Sequence, residues 1–115
     1  MIHRKKGRSL SLKTDQRRRM LKNLTVAVIL HERIITTDAK AKEVRRHVDR
    51  VITKGKINTL ATRRYLLTWL SKNATAKVLE VLSPKYKDRN GGFTRIIKLG
   101  DRLGDGAKKV IFELV

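Results

Sequence analysis

The chain has 115 residues and carries 29 Lys and Arg against 10 Asp and Glu, a formal net charge of +19. One domain suits that length, and the 40% hydrophobic content feeds a modest core, while the charge calls for a polyanion to relieve repulsion among the cations. The absence of cysteine excludes disulfides, thiolate catalysis and Cys-held zinc, and no apolar run nears the roughly 20 residues that a membrane span requires.

Residues 1–13 are basic and acid-free, with His3, Arg4, Lys5, Lys6, Arg8 and Lys13 around Gly7. They lack the apolar stretch of a secretory signal. They resemble an organelle transit peptide only in composition, because Ile2, Leu10 and Leu12 make no helical stripe. The expectation is a basic N-terminal extension, disordered alone and ordered against a polyanion, ahead of a single domain over 14–115.

A first helix is predicted from Thr14 or Asp15, either of which can cap it, with Met20, Leu24, Ala27 and Val28 facing the core. Arg17, Arg18 and Arg19 crowd its first turns, where positive charge opposes the helix dipole unless an anion neutralises it. The β-branched run in ERIITT predicts a strand over 33–36. Thr37 or Asp38 then caps a second helix that Gly55 ends. Ala41, Val44, Val48, Val51 and Ile52 line its inner side, and Lys42, Arg45, Arg46 and Arg50 populate the rest. A third helix runs from Asn58 or Thr59 to about Leu70, with Leu60, Ala61, Leu67 and Leu70 inward. Tyr65 and Trp69 lie four apart on it, which suits core packing or a protein contact better than base stacking, since no aromatic repeat follows. Asn73 caps a short fourth helix, and Pro84 stops it. Strands over 93–99 and 110–115 flank the loop GDRLGDGA; they form an antiparallel pair that the strand at 33–36 extends. The result is a two-layer α+β domain of order α-β-α-α-α-β-β, its helices packed on a small mixed sheet.

The motifs of catalysis are missing. No P-loop string occurs, and Gly104 and Gly106 lie between two strands rather than between a strand and a helix. His3, His31 and His47 share no metal-binding spacing, and Glu32, Glu43 and Glu80 each sit within three residues of a cation. Neither an enzyme, a cofactor, a metal nor a small-molecule substrate is expected. The loop KYKDRNGGF differs in kind: Lys85, Lys87, Arg89, Arg95 and Lys98 bracket Asn90-Gly91-Gly92. Glycines there let phosphate approach backbone N–H groups, and Tyr86 or Phe93 is placed to stack on an unpaired base. An RNA-binding protein is the expectation. A DNA-binding nucleoid or regulatory protein is the alternative, although it calls for a recognition helix or dimer seam. A membrane-surface protein needs an exposed amphipathic helix that this small core cannot spare.

The strings HRKKGR, RRRMLKNL, HERIITT followed by KAKEVRR, and YKDRNGGFTRI resemble the bacterial-type ribosomal large-subunit protein seventeen family. The likeness runs from His3 to Val115 in the family's order and spacing. It implies a structural component of the large ribosomal subunit in the bacterial cytoplasm, an organelle ribosome being the lesser alternative. Such a protein binds large-subunit rRNA near the mouth of the peptide exit tunnel and touches neighbouring proteins, among them large-subunit protein thirty-two. Carried over, its rRNA-facing residues are His3, Arg4, Lys5, Gly7, Arg8, Arg17, Arg18, Lys40, Lys42, Arg45, Lys87, Arg89, Gly91, Gly92 and Arg95. The charge reading adds Lys6, Lys13, Arg19, Arg46, Lys85 and Lys98. Ile2, Gln16, Asn90 and Phe93 depart from the family's usual Arg, His, Pro and Tyr.

Overall fold

A computed structural model of the protein describes residues 13–115. The order is α1 (Thr14–His31), β1 (Arg33–Thr37), α2 (Asp38–Gly55), α3 (Leu60–Trp69), α4 (Lys72–Lys77), a π-helical turn (Val78–Leu82), α5 (Ser83–Lys85), β2 (Thr94–Asp101) and β3 (Lys108–Leu114). The strands pair in the order β1-β3-β2. Both pairings are antiparallel, so the sheet expected to be mixed has no parallel pair. The two-layer α+β arrangement otherwise stands. Strand parity places Val110, Phe112 and Leu114 of β3 in the core beneath the helices, with Ile34 and Ile96 packed beside them.

α2 carries the most regular pattern and is the central helix. Ala41, Val44, Val48, Val51 and Ile52 are all buried, as their spacing predicts. α1 is turned by about one residue from its expected face: Leu21, Thr25, Val28 and Ile29 are buried, with Met20 and Leu24 at the margin. The reason is Thr25, whose hydroxyl donates to the Leu21 carbonyl at 2.7 Å. With its polar atom satisfied within the helix, it sits in the core like an aliphatic residue. In α3 the buried residue is Leu66, while Leu60 is 63% exposed. The rings of Tyr65 and Trp69 turn that side inward, and Leu67 is left outside.

Helix ends follow local chemistry. Thr59 caps α3 by accepting the Thr62 N–H at 3.2 Å. Ser71, not Asn73, caps α4, accepting the Ala74 N–H at 3.3 Å. Neither Thr14 nor Asp15 caps α1, which starts after Lys13 without a side-chain cap. Pro84 lies inside the last turn instead of stopping the helix before it. The π-helical turn ahead of it shifts the hydrogen-bond register and widens the coil, which accommodates the proline ring and its missing N–H. Gly55 ends α2 for a reason other than left-handed geometry: a Cβ there would stand 2.4 Å from Val78 Cγ1, so the glycine lets the π-helical turn pack against α2.

Between α1 and β1, Glu32 adopts φ 63°, the one positive φ outside glycine among the described residues. Its N–H bonds the Val28 carbonyl at 2.7 Å and its own carbonyl accepts the Leu114 N–H at 2.9 Å. A side chain in that region costs about 1–2 kcal/mol. The Lys77 pair that Glu32 makes, at 3.8 Å, is half exposed and returns little. Glu32→Gly is therefore expected to raise stability by about 0.5–1 kcal/mol, read as a higher urea midpoint with an unchanged slope; a lower midpoint refutes it.

Candidate nucleic-acid interface

The loop after α5 is pinned from several sides. Phe93 and Tyr86 are buried, their rings 5.1 Å apart and tilted by 57°. The Tyr86 hydroxyl donates to the Val115 carbonyl at 2.7 Å, and the Val115 N–H donates to the Phe93 carbonyl at 2.8 Å. Both rings therefore serve the core, and the expectation that either stacks on a base is corrected. From α2, the half-buried Asp49 carboxyl lies beside the Phe93 N–H, and its Oδ1 is buried without a hydrogen-bond partner among the described residues. Lys56, just past the end of α2, donates to the Arg89 carbonyl and lies 4.9 Å from the Phe93 ring centroid. Burial pushes the Asp49 carboxyl up, against the pull of Arg45 and of the Phe93 N–H.

On this support sit the exposed Lys87, Asn90 and Gly91. Arg89 folds back, its Nε donating to the Gly91 carbonyl at 3.2 Å. Gly92 has φ 62°, and a Cβ at either glycine would meet nothing within 4 Å. Gly92 answers a backbone requirement. Gly91 is left with open space in front of it, which is what approach by a bulky anion needs.

The predicted cations divide among several surfaces. Arg18 and Arg19 are exposed and Arg17 half-buried in the first turns of α1. Among the described residues none of these three is in an ion pair. On α2, Arg45 and Arg46 are exposed, Lys40 is half-buried, and Lys42 pairs with Asp38 at 3.0 Å. That bond, with Lys98 and Lys108 nearby, holds the Asp38 carboxyl below its usual range. Arg45 sits by Asp49 and so by the loop. Lys85 is exposed with its ammonium 5.2 Å from the Tyr86 ring centroid. Arg95 and Lys98 leave the loop on opposite faces of β2. Arg95 bonds Glu113 at 2.6 Å on the outer face, while Lys98 shares a shallow cavity with Asp38, Lys108 and Lys109. Lys13 is exposed before α1; His3, Arg4, Lys5, Lys6, Gly7 and Arg8 lie outside the described residues.

Sequence reasoning missed Asp49 and Lys56 as the supports of the loop, and missed a second cluster. Trp69 packs on His47 with ring centroids 5.2 Å apart, and the Lys22 ammonium lies 5.3 Å from the Trp69 ring. Lys22 also donates to the Thr68 carbonyl at 3.0 Å, joining α1 to the end of α3. Burial depresses the His47 pKa, Arg50 and Arg46 add to this, and Glu43 opposes them. A depressed pKa means that the unfolded chain takes up the proton first. The stabilisation is then full above the unfolded value of about 6.5 and is lost as pH falls below it. Stability is expected to decline as pH falls below about 6.5, and His47→Phe, which keeps a ring against Trp69, to flatten that slope. Parallel profiles for parent and variant would show that His47 does not titrate differently on folding.

A small α+β domain with cations on its N-terminal helix, its central helix and its glycine loop belongs with the structural proteins of a ribonucleoprotein particle. Comparison gives the family. The model of the family described as "Ribosomal protein L17" matches residues 20–115. "Large ribosomal subunit protein bL17" of Fusobacterium nucleatum is 48% identical over 116 aligned residues, covering the whole of both chains. Proteins of the same name from Thermoanaerobacter pseudethanolicus (49%, the whole of both chains) and Syntrophotalea carbinolica (47%, the whole of this chain and 75% of the relative) are similarly close. The chain belongs to the ribosomal protein L17 family. It is a structural constituent of the ribosome, acting in translation, and not an enzyme.

Proposed function

We propose that this protein binds and stabilises large-subunit rRNA, as a cytoplasmic component of the large ribosomal subunit of a bacterium, near the mouth of the peptide exit tunnel. The observation that carries the reading is the loop at Gly91 and Gly92: it is held from beneath by Asp49, Lys56 and Phe93 and open to solvent above. Such a loop offers peptide backbone and cations to phosphate at little ordering cost. Lys85, Lys87, Arg89 and Arg45 surround that contact. Arg17, Arg18 and Arg19 supply a second one, where phosphate neutralises charge that the α1 dipole disfavours. His3, Arg4, Lys5, Lys6, Gly7, Arg8 and Lys13 form a third in the basic arm of residues 1–13, which precedes a single domain over 14–115. Lys40, Lys42, Arg46, Arg95 and Lys98 contribute at the margins. Cations spread over separate elements suit an irregular folded RNA better than the groove of a duplex. Large-subunit protein thirty-two is proposed as a neighbour on the family likeness.

The test is a competition between folded large-subunit rRNA and duplex DNA of equal phosphate content, with the rRNA expected to win. Replacing Arg17, Arg18 and Arg19 together with Gln is expected to weaken rRNA binding by about 1.5–3 kcal/mol, at about 0.5–1 per exposed contact. Equal affinity for DNA refutes the rRNA reading, and an unchanged triple variant removes α1 from the interface.

A further inference from the structure

The face of the sheet turned away from the helices has no layer covering it among the described residues. Strand parity and register align its side chains in rows across all three strands. In the middle row Ile35 stands opposite Ile111, and Ile111 opposite Ile97. Ile35 is 64% exposed and Ile97 39%. Exposed aliphatic residues scattered singly need no explanation, but three β-branched ones in adjacent register make a continuous apolar ridge. On one side of it lies the row Arg33, Glu113, Arg95, where the single carboxylate receives Arg33 at 3.5 Å and Arg95 at 2.6 Å. Two guanidiniums share one acid, so the row keeps a net positive charge. On the other side Lys109 stands opposite Thr37 and Gly100. The face is thus an apolar bar with a positive border on each side.

We propose that this face docks a segment of a neighbouring ribosomal protein that presents aliphatic side chains flanked by Asp or Glu. Charge complementarity chooses the occupant. RNA would have to desolvate phosphate and ribose hydroxyls against isoleucines, and the face has no aromatic ring on which a base could stack. A second copy would bring the same cations, and residues 1–12 would bring Arg4, Lys5, Lys6 and Arg8. Only a protein segment with carboxylates on both sides of an apolar strip satisfies all three rows. Burying the ridge adds apolar contact, and the acidic flanks meet Arg33, Arg95 and Lys109.

The inference rests on the chain's place in the large subunit but not on which of its cations meet RNA. The full-length protein is produced with a photoactivatable benzophenone amino acid at Ile35 and, separately, at Ile97, both exposed enough to accept it. Large subunits containing it are irradiated, and crosslinked peptides are identified by mass spectrometry. The expected result, from both positions, is a crosslink to one ribosomal protein within a few residues of an Asp or Glu. Crosslinks to rRNA, to residues 1–12 of this chain or to a second copy, or none, would overturn the inference. Absence of the chain from large subunits would instead overturn the functional reading beneath it.

Discussion

Raising monovalent salt from about 50 to about 200 mM is expected to weaken binding to large-subunit rRNA by between three and four orders of magnitude. Each phosphate neutralised by Lys or Arg releases condensed counterions, at about 0.7–0.9 per contact. The clusters on α1, on α2 and at the loop, with the arm before them, provide for roughly eight contacts, so log affinity should fall with log salt at a slope near −6. A filter-binding series measures that slope. A slope near zero would mean that the affinity comes from apolar or base contacts, which the solvent-facing sides of these clusters do not supply. Removing a single exposed contact, such as Lys87→Gln, should make the slope shallower by about one unit without moving the urea midpoint.

That separation of affinity from stability reflects which features were legible in the sequence. α2 could be read residue by residue because its aliphatic positions repeat at helical spacing with cations between them. β3 could be read because Val110, Phe112 and Leu114 alternate with Lys109, Ile111 and Glu113. The loop's position beside α2 was not legible. Asp49 reads locally as one acid among Arg45, Arg46 and Arg50, and Lys56 as one more cation after a helix. Their partners, Phe93 and Arg89, are more than thirty positions away, and nothing local encodes that pairing.

Two misreadings have a sharper cause. Tyr86 and Phe93 border a basic loop, a position that suggests base stacking for one or the other, yet in a chain with so few aromatics the core claims both rings first. Grouping Arg95 and Lys98 with the loop overlooked the two-residue period of a strand, which sends them to opposite faces. The same period, followed across the register, is what aligns Ile35, Ile111 and Ile97 on the outer face.

Phe93→Ala is expected to cost about 3–5 kcal/mol of stability, a large part of the roughly 5–15 that holds a domain of this size. The ring is fully buried and shares the underside of the loop with Tyr86 and the Lys56 ammonium. Its loss leaves a cavity beneath the loop and removes the surface on which Lys56 rests. The same substitution should weaken rRNA binding by about 30-fold or more even where the protein remains folded, since Gly91 and Gly92 would have to be ordered at the moment of contact, at about 1–2 kcal/mol per residue fixed. Phe93→Leu, which refills much of the space, should recover most of the stability but less of the affinity, because the Lys56 contact requires an aromatic face. Urea denaturation and filter binding on the same preparations separate the two effects. If Phe93→Ala kept its midpoint, the loop would not depend on this ring. If it lost stability but bound rRNA as the parent does, the backbone at Gly91 and Gly92 would not be part of the interface, and the cations of α1, α2 and the arm would have to carry it alone.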